Sequence, residues 1–207
     1  GIMTTYAILK ADLIDLTENN SSDFATESDQ FIDTVELRLS RELRNCPELY
    51  KHQTSTLTQS DPFITKPSDM ITMISFNLLS AASKRTAIEY RDVSFINEYW
   101  PTRTSTGSPK FYADWNEDVF IVAPTPSAAL TIEINYRKRF TALSSSSTTS
   151  WLTEHAYDLL LYGCLIEAAI YDKNPQMMQM YEKRYQEALA TVNAELENRR
   201  SDQSNKG

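Results

Sequence analysis

The stretch from Trp151 to Ile170, WLTEHAYDLLLYGCLIEAAI, limits what this chain can fold into more than any other part of it. Ala156, Leu159, Leu160, Gly163, Cys164, Ala168 and Tyr171 recur at helical spacing and form a wide apolar stripe. Leu161, Leu165 and Ile170 fall outside that stripe, so the predicted helix is apolar over most of its circumference. Such a helix is buried on several sides, as the central rod of a helical bundle. Gly163 and Cys164 are small enough to let another helix approach closely. The length would suit a membrane span, but His155, Asp158 and Glu167 make the run too polar to partition into lipid.

Amphipathic partners for that rod lie at both ends of the chain. Thr4–Thr17 places Tyr6, Leu9, Leu13 and Leu16 on one face, with Asp12 and Asp15 opposite. After a polar break at Asn19–Asp23, a second helix runs to about Arg44. Its stripe is Phe31, Ile32, Val35, Leu39 and Leu43, and its wet side is Glu36, Arg38, Arg41 and Glu42. Pro47 stops it, because the residue before a proline is pushed out of the helical region. A last helix opens at Pro175, since proline suits the first helical position. Met177, Tyr181, Tyr185, Ala188, Val192 and Leu196 line it, and it would run roughly 35–40 Å to Arg200.

Between these helices the hydrophobic period drops to two. Alternating segments occur at Thr54–Thr58, Met70–Leu78, Thr86–Tyr90, Phe111–Trp115, Val119–Ala123 and Leu130–Tyr136. Asn116-Glu117-Asp118 marks a hairpin, and Asp92 to Trp100 reads as one short helix capped by Asp92. In the clearest strand, Leu130, Ile132, Ile134 and Tyr136 point inward while Thr131, Glu133, Asn135 and Arg137 point outward. The segments suggest a small antiparallel sandwich or rolled sheet.

The expected class is therefore α+β: a bundle built from the N- and C-terminal helices with an inserted small antiparallel β-domain. The expected boundaries are 3–48 with 151–200 for the bundle, 49–143 for the β-domain, 144–150 for a Ser/Thr linker, and 201–207 for a flexible tail. SSSSTTS at Ser144–Ser150 has nothing to bury, and the polar tail SDQSNKG resembles a frayed or partner-bound end.

Composition narrows the function. A formal charge of −8 over 207 residues argues against a grip on nucleic acid through phosphate neutralisation, though not against a surface that DNA slides past. The two cysteines, Cys46 and Cys164, stand far apart and imply no disulfide framework. No signal peptide is expected, and Gly1-Ile2 ahead of Met3 reads as a cloning remnant with Met3 the natural first residue.

Catalytic and metal chemistry find little support. His155 and Asp158 with adjacent Glu154 could begin a metal site, but no third ligand is spaced to complete it, and acids in a first helical turn serve the helix dipole. His52 reads as solvent-facing and Cys164 as core. Four glycines in the chain leave no phosphate-cradling loop, and no serine lies in a nucleophile elbow. Arg137-Lys138-Arg139 is the strongest basic cluster. It reads first as a solvated strand end, with nucleic-acid contact the competing reading. Arg199-Arg200 complements a helix C-terminus. Tyr112, Trp115 and Phe120 read as sheet core.

From Ser108 to Asn174 the order of elements resembles the tailed-bacteriophage head-to-tail adaptor (connector) family. Pro109, Phe111, Tyr112 and Ala113 stand where the family has a proline, an aromatic pair and alanine. Pro124 and Pro126 match its Pro-x-Pro, and Tyr136 the strand end. Trp151, Leu161, Tyr162, Glu167 and Ala168 match the helix that its tryptophan opens. The opening FIDTVELRLSRELR is also similar to the family's start. The resemblance implies a non-enzymatic virion protein without cofactor or metal, assembled in the host cytoplasm. It further implies a ring, dodecameric in the family, between the portal and the tail nozzle or tube at the head–tail junction. DNA would pass through without specific binding, and no membrane would be involved. Asn198, Arg199, Arg200 and Lys206 are the residues expected to meet the portal. Another tail-completion or neck protein, or a tail-associated hydrolase, stays open as an alternative.

Overall fold

The structure, a computed structural model, describes residues 4–204, with side chains through Ser201. The chain starts with helices α1 (Tyr6–Thr17) and α2 (Ser22–Glu42) and a 3-10 turn at Pro47–Leu49. Strands β1 (Tyr50–Leu57), β2 (Phe63–Thr65), β3 (Met70–Leu79), β4 (Arg85–Ala87) and β5 (Glu89–Tyr90) follow, then helix α3 (Val93–Tyr99). Next come strands β6 (Thr106–Gly107), β7 (Phe111–Asp114), β8 (Val119–Ala123), β9 (Thr125–Pro126) and β10 (Leu130–Lys138). Helices α4 (Trp151–His155), α5 (Tyr157–Tyr171) and α6 (Pro175–Ser204) complete it. The fold is mixed α and β and divides into two units, one holding the residues up to Leu49 and from Phe140 onward, the other Tyr50–Arg139.

In the helical unit α5 touches α1, α2, α4 and α6. Its Leu159, Leu160, Cys164, Leu165 and Ala168 share one core with Leu9, Leu13, Ile32, Val35, Leu39, Tyr185, Val192 and Leu196. Each entry helix has a side-chain cap: Thr5 accepts from Ile8 N–H, and Ser21 from Phe24 N–H. At the α5–α6 turn, Asn174 Oδ1 accepts from Met177 N–H, just ahead of Pro175. Gly163 is the point of closest approach. A Cβ there would stand 2.5 Å from Val35 Cγ1 and 3.3 Å from Tyr185 Cε2, so α2 and α6 both close on α5 where it lacks a side chain.

Several local expectations are corrected here. The rod is two helices: at Ala156 the backbone turns to φ −146°, ψ 43°, although no glycine or proline marks the break. Leu16, Ile170 and Tyr171 are exposed, because the apolar contacts of α1 and α5 leave their outer edges uncovered; Tyr171 instead sets its ring against Phe24 and Phe31. Glu36 is buried, not wet. Helix α6 runs on to Ser204, through the first residues of the expected tail, since no glycine or proline ends it at Arg200. The Ser-rich segment is tied down: Tyr6 N–H donates to Thr148 O at 2.8 Å, and Ser150 is buried with its N–H on the Thr153 hydroxyl at 2.8 Å. Phe140 and Leu143 belong to the helical core.

The β unit has two four-stranded sheets, ordered β1-β10-β3-β4 and β2-β8-β7-β5, and a two-stranded ribbon of β6 and β9. Ile132, Ile134, Tyr136 and Phe76 of the first sheet pack against Tyr112, Phe120 and Val122 of the second, as in a sandwich. Tyr112 and Phe120 are core, while Trp115 is partly exposed and leans on Phe63 at 5.2 Å. On the second sheet's other face, Ile96 of α3 meets Ala113, Ile121 and Ala123. Most pairings are antiparallel, but β5–β7 and β6–β9 are parallel. β5 joins the second sheet because the chain leaves the first one after β4.

Candidate functional site

The positions most open to a partner are built from ordinary helix and strand chemistry. On α6 the last buried side chain is Leu196, and every described residue after it is exposed. The helix continues to Ser204, about 12 Å beyond that last core contact at 1.5 Å per residue. Asn198 and Arg199 are exposed there, and Arg200 Nη1 donates to Asn45 Oδ1 at 3.2 Å, which ties this end of α6 to the loop after α2. Lys206 lies outside the described residues.

The same two helices are joined more firmly below. Arg38 of α2 makes a bidentate pair with Glu182 of α6, at 2.7 and 3.1 Å, and also holds Glu42 at 2.8 Å. Its guanidinium lies 4.0 Å from the centre of the Tyr185 ring, whose hydroxyl donates to Glu42 at 2.9 Å. The Arg38 hydrogen bonds hold the Glu182 carboxyl below its usual range. Asn193 completes the seam, with Oδ1 accepting from Arg44 N–H and Nδ2 donating to Glu42 O.

A second group of carboxylates grips the segment before α4. Glu36 Oε1 accepts from Leu143 N–H at 3.3 Å, and Glu48 Oε2 from Trp151 N–H at 2.6 Å. The other oxygen of Glu36 is buried without a hydrogen-bond partner. Burial, with Asp33 and Glu48 nearby, pushes its carboxyl up to about 7. Sequence spacing carried a trace of this: Glu36 lies four residues after Ile32 and next to Val35, at the border of the apolar stripe. Its structural partner, Leu143, is far away in sequence.

In the β unit, Arg137, Lys138 and Arg139 stand at the end of β10. Arg137 and Lys138 are half-buried, Arg139 is exposed, and Lys138 Nζ donates to Arg139 O at 3.2 Å. Asp69 faces this end: its carbonyl accepts from Arg139 N–H at 3.1 Å, and its carboxylate accepts from the Tyr136 hydroxyl at 2.8 Å and lies 3.6 Å from Lys51 Nζ. Burial first, then Asp69, pushes the Tyr136 hydroxyl up to about 12. On the outer face of the first sheet, Arg85 of β4 reaches Glu133 of β10 at 2.7 Å and His52 of β1 lies 3.2 Å from it. Glu133 thus faces outward yet is covered by its partners, and the Arg85 hydrogen bonds lower its carboxyl.

The structure brings His155 and Asp158 into a groove of about 300 Å³ with Arg184, Glu187 and Glu195 between α5 and α6. Among the described residues no group of three or more His, Cys, Asp or Glu side chains could hold a metal ion. Cys46 and Cys164 are both buried and neither is in a disulfide, and burial raises the Cys164 thiol. Among the described residues no helix is long and apolar enough to cross a membrane. The arrangement offers seams, helix ends and sheet edges for protein partners.

A search of curated proteins finds no match to the chain. The profile of the SU10 adaptor protein family matches residues 4–206, nearly the whole sequence. On that match the chain belongs to the SU10 adaptor protein family, a family of phage head-to-tail adaptors.

Proposed function

We propose that this chain is a non-enzymatic ring subunit that sits between the portal and the tail nozzle or tube of a virion, with DNA passing through the ring. The observation that carries this reading is the end of α6. A helix of 30 residues is anchored by Tyr185, Leu189, Val192 and Leu196 and then continues past its own core with exposed Asn198 and Arg199. A helix end that buries no apolar side chain on its own subunit can add contacts on another protein, and a ring repeats each contact once per copy. The acidic total supports the passage of DNA, because like charge prevents sticking. The subunit would be assembled in the host cytoplasm.

The test is truncation after Glu197, mixed with the portal protein of the same phage and followed by light scattering and electron microscopy. The truncated chain should keep its helical content, because Leu196 is retained, yet lose portal binding. Unchanged binding would reject the assignment of the α6 end to the portal. Failure of the full chain to form any ring, alone or on the portal, would reject the adaptor geometry.

A further inference from the structure

The first sheet of the β unit has an open edge on each side. β1 ends it, with no strand beyond Tyr50–Leu57 among the described residues. At the other end β4 pairs only with Asn77–Leu79 of β3. Ile88 N–H donates to the Phe76 carbonyl at 2.8 Å, and the chain then departs to form β5 in the second sheet. Among the described residues no strand pairs with Ile71–Ser75 on that side. The gap is not filled: a cavity of about 370 Å³ lies beside it, lined by Met70, Ile71, Met73, Tyr90 and Phe120.

This edge lacks most of the usual safeguards. Folded proteins discourage pairing at sheet edges with charges, prolines or short strands. β3 has ten residues, MITMISFNLL, without a charge or a proline, and exposes Ile71 at 38% and Ile74 at 54%. Its register shifts opposite Asn135–Lys138, and the Lys66–Asp114 ion pair that lines the same cavity, blunt it only in part. Across the sheet, the middle of β1 is Gln53-Thr54-Ser55-Thr56, equally free of charge and rich in residues that favour strands.

We propose that Ile71–Ser75 of β3 pairs with β1 of a second copy of this chain. This rests on the ring reading above, and the reason for choosing a second copy is symmetry. A ring needs a head-to-tail contact, in which two different patches of one subunit fit each other. One sheet here supplies two open edges on opposite sides, each with an uncharged stretch. Their directions also agree. β1 and β3 are both antiparallel to β10, so they run parallel to each other. Copies standing in the same sense around an axis therefore place the neighbour's β1 parallel to β3, a pairing with evenly spaced hydrogen bonds. Strand twist is then taken up as tilt of the strands to the ring axis, as in closed barrels.

The test is site-directed cross-linking. Thr54 opposes Glu133 and Thr72 opposes Arg137, which puts both threonines on the outer face of the sheet, and both are exposed. Thr54→Cys and Thr72→Cys are made in separate full-length chains, mixed, and treated with a short bis-maleimide, with oligomers followed by light scattering and electron microscopy. Cys46 and Cys164 are buried, and the unmodified chain serves as the control. The expected result is cross-linked dimer in the mixture, at least tenfold above either variant alone. Thr72→Cys cross-linking to itself as readily would overturn the proposal in favour of two-fold pairing. Rings without the mixed cross-link would overturn it and leave the adaptor reading standing. Mixed cross-links in open filaments would uphold the strand pairing and reject the ring.

Discussion

Replacing Glu36 by glutamine should make the helical unit more stable at pH 8, with most of that gain gone by pH 5. Glu36 is 5% exposed, one oxygen holds Leu143 N–H, and the other has no partner. Its carboxyl is raised from 4.5 to about 7, mainly by burial. The folded chain therefore prefers the protonated form. Between those two values the folded state binds more protons than the unfolded one, so stability falls as pH rises through the window. Each pH unit of that window costs about 1.4 kcal/mol, so above about pH 7 the full penalty is about 3 kcal/mol. Glutamine keeps an acceptor for Leu143 N–H but never ionises. Glu182 and Glu133, whose carboxyls are lowered, act in the opposite sense in a more acid window, and they cancel in the comparison of variant with parent. The assay is urea unfolding from pH 4.5 to 8.5, followed by the far-UV signal of the helices, because the two units can unfold separately. Stability curves for the parent and Glu36→Gln that stay parallel across this range would refute the reasoning.

Three further outcomes are expected. Gly163→Val should destabilise the helical unit by about 1–3 kcal/mol through overpacking against Val35, and Val35→Ala in the same chain should recover part of the loss in denaturant titrations; additive losses would contradict the close approach. Tyr185→Phe should cost about 0.5–1.5 kcal/mol by removing the donor to Glu42, measured as a lower urea midpoint at unchanged slope. Exhaustive dialysis against a chelator should leave the melting temperature unchanged; a fall of several degrees would show a bound metal.

The sequence by itself determined the two regimes of the chain, because hydrophobic period follows from backbone geometry: 3.6 for helices, 2 for strands. It placed the cores of α2, α5, α6 and β10, the start at Pro175 and the hairpin at Asn116–Asp118, whereas α2 ends at Glu42, ahead of the stop expected from Pro47. It also marked Gly163 as a place for close approach. Tertiary structure alone decided the rest. Glu36 is at the edge of a helical stripe, and only the return of Leu143, 107 residues later, turns it from a wet residue into a buried one. The break at Ala156 has no local signal, since its backbone bonds to Leu152 and Leu160 survive the change of direction. Leu16 and Tyr171 have the spacing of core residues yet stay exposed. The open edge of β3 depends on β5 choosing the second sheet, a choice between two possible partner strands. Periodicity reports which face of an element is apolar; which neighbour covers it, and which edge is left bare, depends on contacts between residues far apart in the chain.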